Sequence, residues 1–396
     1  MSSAAFQSLL RRELTALSRI IKLAAEKLTA LSIWRCSTLR GGAMDAAIDR
    51  FEPQSRPGTQ PFLAADVGGT HARVALVRVS RDGEPEVLTY RKFACKEFAS
   101  LAELLEAFLA REARTAVRHC VLACAGLVMG DEVVHDNLAW PIHLSQLRRA
   151  LALDDVAALN DFEAFGYALD GRLVGSGLLL CGPDVRDAGP ILAIGPGTGL
   201  GAVVRLPGPS GGSVLTTEAG QMDFAPHTLR EREILARLAP HGGYVAYERI
   251  TSGPGLLILY TILCELHGIG PRLATPEAVT AAALADADVQ ATEAVQIFCA
   301  TLGSFSGGLA MAFMATGGVY LGGGFLHSIF PLLERSAFAE RFLHGRSVRS
   351  FLSRVPVRVM EHGRHGVLGA ANWYLRRAAS AGGSAQVRSA TGGSTE

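Results

Sequence analysis

The sequence predicts a mixed α/β protein of two domains, and three observations carry that expectation. The chain has 396 residues, enough for two domains and a further small piece. Two strand–glycine turn–strand units, Phe62–Val77 and Gly189–Arg205, recur about 130 residues apart. Helical periodicity then occupies much of the intervening and following sequence. Apolar residues make up 49% and charged residues 19%, so a large core can form and disorder is excluded as the general state. Lys and Arg number 38 against 37 Asp and Glu, and a formal charge of +1 gives no electrostatic case for a nucleic-acid partner.

The elements follow in order. Residues 1–43 carry Arg11, Arg12, Arg19, Lys22, Lys27, Arg35 and Arg40 against Glu13 and Glu26, with helical apolar spacing from Phe6 to Leu31. This reads either as a targeting or surface-lying helix, or as an appendage, with Met44 a second plausible start. The polar stretch 46–61, with three prolines, reads as a linker, so 1–60 is expected outside the core. Strand Phe62–Ala65 enters the turn Asp66-Val-Gly-Gly-Thr70 and resumes at Arg73–Val77. A helix over 100–113, an apolar strand over 118–129 and a short strand over 132–138 come next. After the second glycine unit, helices are expected near 228–240, 255–268, 275–283 and 288–315, then a strand at Gly318–Leu321. The tail from Ala378 is low in complexity, and 381–396 is expected to be disordered. No run of 18 apolar residues occurs, so no membrane span is expected.

Cysteines stand at 36, 95, 120, 124, 181, 264 and 299. The number is odd and no CxxC pair occurs, which argues against a disulfide framework or a zinc site and for a reducing, cytoplasmic setting. Cys120 and Cys124 lie in an apolar run and read as small buried hydrophobes.

Five segments carry candidate chemistry. At Asp66–Thr70, adjacent glycines let backbone N–H groups approach an anion, Thr70 adds a hydroxyl, and Asp66 can hold Mg²⁺ through water; an ordinary hairpin turn would also use DVGG. Gly195–Gly201 is neither a Walker loop nor a dinucleotide fingerprint, because a strand follows it, but paired with the first turn it can clamp a polyphosphate. Gly322–Gly324 suits a strand-to-helix turn facing a nucleotide, or close packing of strand on helix. Asn160 and Asp161 end an apolar segment ahead of a helix over 162–169, as a helix cap or as a polar sugar site with Asp161 taking a hydroxyl proton. Glu218 and Glu248, with Asp223 as a further acid, lie in turn-rich segments, and each taken singly also suits a solvated surface.

Together these segments resemble the bacterial glucokinase family of the hexokinase/actin-like ATPase superfamily. The resemblance spans about 61–376 and rests on AADVGGTHARVALV, ALNDFEAFGYAL, AIGPGTGLGAVV, TEAGQMDFAP, ERITSGPGLLILY, GGVYLGGGF and HGVLGAAN, in that order. It implies an α/β, two-lobed hexokinase/actin-like (RNase H-like) fold with a central cleft: a small lobe of 61–170 plus 362–380 and a large lobe of 171–361. It implies binding of ATP and Mg²⁺ by Ala65, Asp66, Val67, Gly68, Gly69 and Thr70, with Gly197, Thr198 and Gly199 as the second phosphate turn and Gly322, Gly323 and Gly324 near the adenosine. Asn160, Asp161, Glu218 and Glu248 match the family's sugar-binding positions, Asp161 being the general base. The family usually reads Glu-Gly-Gly-His where this chain reads Glu218-Ala-Gly-Gln221, so a sugar-contacting His becomes Gln221. His71, beside the phosphate turn, stands where Asn is frequent.

The implied reaction is in-line transfer of the γ-phosphoryl group of MgATP to the 6-hydroxyl of glucose in a homodimeric cytoplasmic enzyme, with the lobes closing around sugar. The alternatives are a kinase for another hexose, a catalytically weak sugar-binding or sensing protein, and a chaperone-like or cytoskeletal ATPase of the same superfamily.

Overall fold

The computed structural model describes residues 60–390, apart from 114–115, 136–137, 170–176, 209–211, 346 and 361–362. The N-terminal extension, nearly all of the linker and Cys36 lie outside the described residues.

The chain opens on β1 (Phe62–Val67), which folds back antiparallel on β2 (His71–Val79) and β3 (Pro85–Ala94). Helix α1 (Leu101–Glu112) starts on a reciprocal cap: the Ser100 hydroxyl accepts the Glu103 N–H while the Glu103 carboxylate accepts the Ala99 N–H. β4 (His119–Cys124) then pairs parallel with β1. The apolar stretch expected as one strand breaks after Cys124. Asn160 Nδ2 takes the carbonyl of Gly126, and the chain departs into a small sheet of β5 (Leu127–Met129), β6 (Glu132–Val134) and β7 (Ile142–His143). Helix α2 (Leu144–Ala150) leads to β8 (Asp155–Asn160), parallel to β4, and completes the sheet order β3-β2-β1-β4-β8.

Helix α3 (Asp161–Ala168) follows β8 directly. The second sheet uses β9 (Leu178–Cys181), the hairpin β10 (Ile191–Pro196) and β11 (Leu200–Leu206), and β12 (Ser213–Thr217). Helices α4 (Leu229–Leu238), α5 (Gly253–Leu266), α6 (Pro276–Leu284) and α7 (Val289–Ala312) come next. Each starts on an oxygen-bearing cap: Thr228, Ser252, Thr275 or Asp288. α7 is long and apolar enough to cross a membrane, but most of it is buried inside the protein, as a core helix is. β13 (Gly318–Leu321), short helices α8 (Gly324–Ser328), α9 (Phe330–Glu334), α10 (Phe338–Phe342) and α11 (Arg349–Leu352), and β14 (Val357–Val359) finish this half, with sheet order β12-β11-β10-β13-β14-β9. A buried ion pair joins α4 to α10: Arg341 meets both Glu231 oxygens, at 2.6 and 3.2 Å.

The two sheets are built alike. Each pairs its first hairpin strand with a later parallel strand, β1 with β4 and β10 with β13. In β1 and β4 the side chains alternate between two buried faces, which explains their unbroken apolar sequence. Leu63, Ala65 and Leu122 face α1, and Phe62, Ala64 and Val121 face the last helix, α12 (His365–Ala390). That helix runs past 381, where composition suggests disorder. Residues 391–396 lie outside the described residues.

Candidate active site

In the first hairpin, the register pairs Val67 with Ala72 and Asp66 with Arg73, leaving Gly68 to His71 as the turn. Gly68 N–H closes the turn on His71 O at 3.1 Å, and Cys95 N–H fixes Thr70 O from the next strand end at 2.9 Å. Gly69 and Thr70 are exposed. Ala65 and Val67 have fully buried side chains and can offer a ligand only backbone. Asp66 Oδ2 accepts from Arg73 at 3.1 Å. Burial pushes this carboxyl above its usual range, and the guanidinium draws it part of the way back. The first turn of α12 presses on it: a Cβ on Gly366 would stand 2.6 Å from Asp66 Cγ. Burial first, then Lys92 and Arg73, holds the His71 imidazole below its usual value.

Asn160 and Asp161 sit at the end of β8, one strand removed from β1 across β4. Asn160 acts as the cap: its Oδ1 accepts the N–H groups of Phe162 (2.9 Å) and Glu163 (3.3 Å), and its Nδ2 donates to Gly126 O at 3.1 Å. Asp161 Oδ1 accepts the Phe162 N–H at 2.9 Å, and the carboxyl also takes a hydrogen bond from its own backbone N–H. Burial, and next the charge of Asp66, pushes Asp161 up to about 7, against the pull of its backbone hydrogen bonds. The two carboxyls are therefore electrostatic neighbours.

The second hairpin meets this pair through α3. Phe162 lies across the base of the hairpin, where a Cβ on Gly201 would stand 2.3 Å from its ring and one on Gly195 2.7 Å. These two glycines make room for a phenyl ring. At the tip, Gly197 N–H bonds Gly199 O at 2.8 Å and Gly197 O accepts from Gly253 N–H at the start of α5, also at 2.8 Å. Thr198 is exposed. Gly199 lies against Glu248, whose Oε2 would be 2.5 Å from a Cβ there and accepts the Leu200 N–H at 2.8 Å. Glu248 Oε1 accepts from Gln221 Nε2 at 3.1 Å. Glu218 is exposed and joined to Gln221 through its carbonyl, which accepts the Gln221 N–H at 3.0 Å. On the far side of β10, Gly322 N–H bonds Ile194 O at 2.7 Å, and a Cβ on Gly322 would meet the Phe165 ring at 2.6 Å. Strand-on-helix packing thus accounts for Gly322. Gly323, at φ +118°, adopts a backbone that favours glycine, and Gly324 begins α8.

Helix α3 is the common element: Asp161 at its start, Phe162 under the second glycine turn, Phe165 under Gly322. Among the described residues no group of three or more His, Cys, Asp or Glu is arranged to hold a metal ion. Sequence reasoning missed Arg73, although counting the hairpin register across the turn would have paired it with Asp66. It also missed Phe162 and Tyr244, whose partners are too distant in sequence to be found that way.

Two sheets of like construction around one short helix are the architecture of sugar kinases. A solved glucokinase from an Antarctic psychrotroph superposes with a TM-score of 0.69 and 29% identity, covering 79% of this chain and 98% of that one. The sequence model of the glucokinase family matches residues 63–377. A glucokinase-like protein of Xylella fastidiosa is 41% identical over 82% of this chain and 97% of its own length, and a glucokinase of Aromatoleum aromaticum is 35% identical over 81% and 96%. The chain belongs to the glucokinase family.

Proposed function

We propose that this protein transfers the γ-phosphoryl group of ATP to the 6-hydroxyl of a hexose, with glucose the first candidate and Asp161 the general base. One observation carries the reading: at the head of α3 the Asp161 carboxyl is pushed up to about 7, by burial and next by the charge of Asp66 on β1. A base poised near neutrality accepts a hydroxyl proton most effectively at working pH. As that proton moves to Asp161, the sugar oxygen bonds the γ-phosphorus and the β–γ bridging bond breaks, releasing ADP.

The remaining roles follow from donors and acceptors. Gly68 and Gly197 commit their N–H groups within their own turns, so Gly69, Thr70, Thr198 and Gly199 are the amides assigned to phosphate. Gly322, Gly323 and Gly324 are assigned to the adenosine side. Asn160, Glu218, Gln221 and Glu248 are assigned to sugar hydroxyls. The residues fit a Mg²⁺ ion arriving on the nucleotide: Asp66 and Asp161 set two half-buried carboxyls against the guanidinium of Arg73, an acidic site suited to a hard cation that keeps its waters. When bound, that ion supplies neutralisation of phosphate charge, and Asp66 would hold it through water. The same reading divides the chain into lobes of 61–170 plus 362–380 and 171–361, closing around sugar. The six free cysteines among the described residues suit a reducing cytoplasm.

A coupled ADP-release assay with a panel of hexoses tests the activity. Glucose-dependent ADP release that disappears in Asp161→Ala, with ATP binding retained, is expected; ordinary turnover in that variant refutes the base. A second reading is a weakly catalytic sugar binder, favoured by Gln221 in place of the family His. Tight glucose binding without ADP release would support it.

A further inference from the structure

Gln221 and Glu248 are held by a third residue to which the kinase reading gives no role. The Tyr244 hydroxyl donates to the main-chain carbonyl of Gln221 and lies 3.2 Å from Gln221 Oε1. The Gln221 side chain donates from Nε2 to Glu248 Oε1 at 3.1 Å, and Glu248 Oε2 accepts the Leu200 N–H at 2.8 Å. The chain of contacts therefore runs from Tyr244 through Gln221 to Glu248 and the second glycine hairpin.

The polarity of this chain is fixed by chemistry. Gln offers one acceptor and one two-proton donor at nearly the same place, so its amide can point either way. A carboxylate accepts only, which requires the NH₂ to face Glu248. The Tyr244 hydroxyl has one proton, and the main-chain carbonyl of Gln221 takes it, so the hydroxyl anchors the segment that carries the amide. Without the hydroxyl, the main chain at Gln221 loses this tie and the amide is free to shift away from Glu248.

The backbone presents Tyr244 for this task. The residues after it are tied down: Phe224 N–H bonds Val245 O at 2.7 Å, and Tyr247 N–H bonds Met222 O at 2.9 Å. Before it stand Gly242 and Gly243, at φ +76° and +123°. The residue is 60% exposed, so core packing does not explain the ring's position. Its polar end is its anchor.

We propose that Tyr244 is a positioning residue for the sugar: its hydroxyl holds the main-chain carbonyl of Gln221, which keeps the Gln221 side-chain amide on the Glu248 carboxylate and that carboxylate in place for a hexose hydroxyl. The proposal rests on the hexose-kinase reading and assigns within it a determinant of sugar affinity that does not touch phosphate.

The test is Tyr244→Phe, which removes one oxygen and keeps the ring. The KM for glucose should rise about five- to tenfold, the effect of one hydrogen bond, with kcat and the KM for ATP within about twofold of wild type. The urea midpoint should not move. In a Gln221→Ala background, adding Tyr244→Phe should change nothing further, because the amide through which Tyr244 acts is gone. An unchanged sugar KM in Tyr244→Phe overturns the proposal, as does an equal rise in the Gln221→Ala background, which would mean Tyr244 acts without the amide. The kinase reading is judged separately on wild-type protein. If wild type binds glucose without turning it over, that reading fails and the glucose Kd from calorimetry carries the same comparison. If wild type neither binds nor phosphorylates any hexose, both fall.

Discussion

Asp161→Asn should make the protein more heat-stable and inactive at once. In the fold this carboxyl titrates at about 7, against 3.8 for an unperturbed aspartate. Between those values the folded protein holds the proton and the unfolded chain does not. Stability therefore falls as pH rises from about 4 to about 7 and stays at its lower level above that. The shift is about three units, and at 1.36 kcal/mol per unit the ionised carboxylate costs about 4 kcal/mol above neutrality. Asparagine has the same shape and keeps an oxygen for the Phe162 N–H, now 2.9 Å from Asp161 Oδ1, but never ionises. For a body of this size the difference corresponds to a Tm gain on the order of 5–10 °C. Differential scanning calorimetry of both proteins at pH 8.5 and pH 5 reads it. The gap should be wide at pH 8.5 and close substantially at pH 5, where the wild-type carboxyl is already protonated. A gap independent of pH, or none at either pH, would refute the desolvated carboxylate on which the base assignment depends.

The sugar kcat/KM should rise about tenfold per pH unit below 7 and level off above it, since the base must be ionised to accept a proton. Asp161→Ala should lose about 10²–10⁴-fold in kcat, read by ADP release, while retaining ATP in equilibrium binding. Gly201→Ala sets a methyl group 2.3 Å from the Phe162 ring and should cost about 1–3 kcal/mol in urea unfolding; kcat should fall as well, because Phe162 adjoins Asp161. Arg341→Met strands Glu231 in the core and should cost about 3–5 kcal/mol, with most of the loss recovered in Arg341→Met/Glu231→Met. Burial opposes the Glu231 charge, but hydrogen bonds from Arg341 and the His227 N–H hold its carboxyl below the usual range, so stability from this pair is present at neutral pH and lost on acidification.

Local patterns in the sequence were enough to mark much of this fold. The hairpins at Asp66–Thr70 and Gly195–Gly201 announced themselves because a glycine turn between two apolar runs has few other uses. The helices expected near 228–240, 255–268, 275–283 and 288–315 stand at 229–238, 253–266, 276–284 and 289–312, legible because their apolar spacing is local. The meaning of individual glycines was not legible. A string such as GPGTGLG does not say that Gly201 yields to a phenyl ring, that Gly199 yields to a carboxylate, and that only Gly197 stands in open space. Those distinctions belong to side chains arriving from α3 and from Glu248, tens of residues away. The cap role and the acid role of Asn160-Asp161 likewise looked like alternatives, yet the structure gives the cap to Asn160, whose side chain accepts the Phe162 and Glu163 N–H groups, and leaves Asp161 as the carboxyl raised by burial.

The placement of α12 also governs how the chain can be made. One apolar face of the first sheet, with Phe62, Ala64, Val121 and Leu159, is covered by Val367, Ala370 and Tyr374. On the ribosome, β1 emerges roughly three hundred residues before the helix that shields it, a contact of very long sequence separation. The nascent N-terminal half must therefore travel with a bare hydrophobic surface until α12 has emerged. Premature termination before Val367 leaves that surface exposed, the condition in which truncated chains aggregate or engage chaperones.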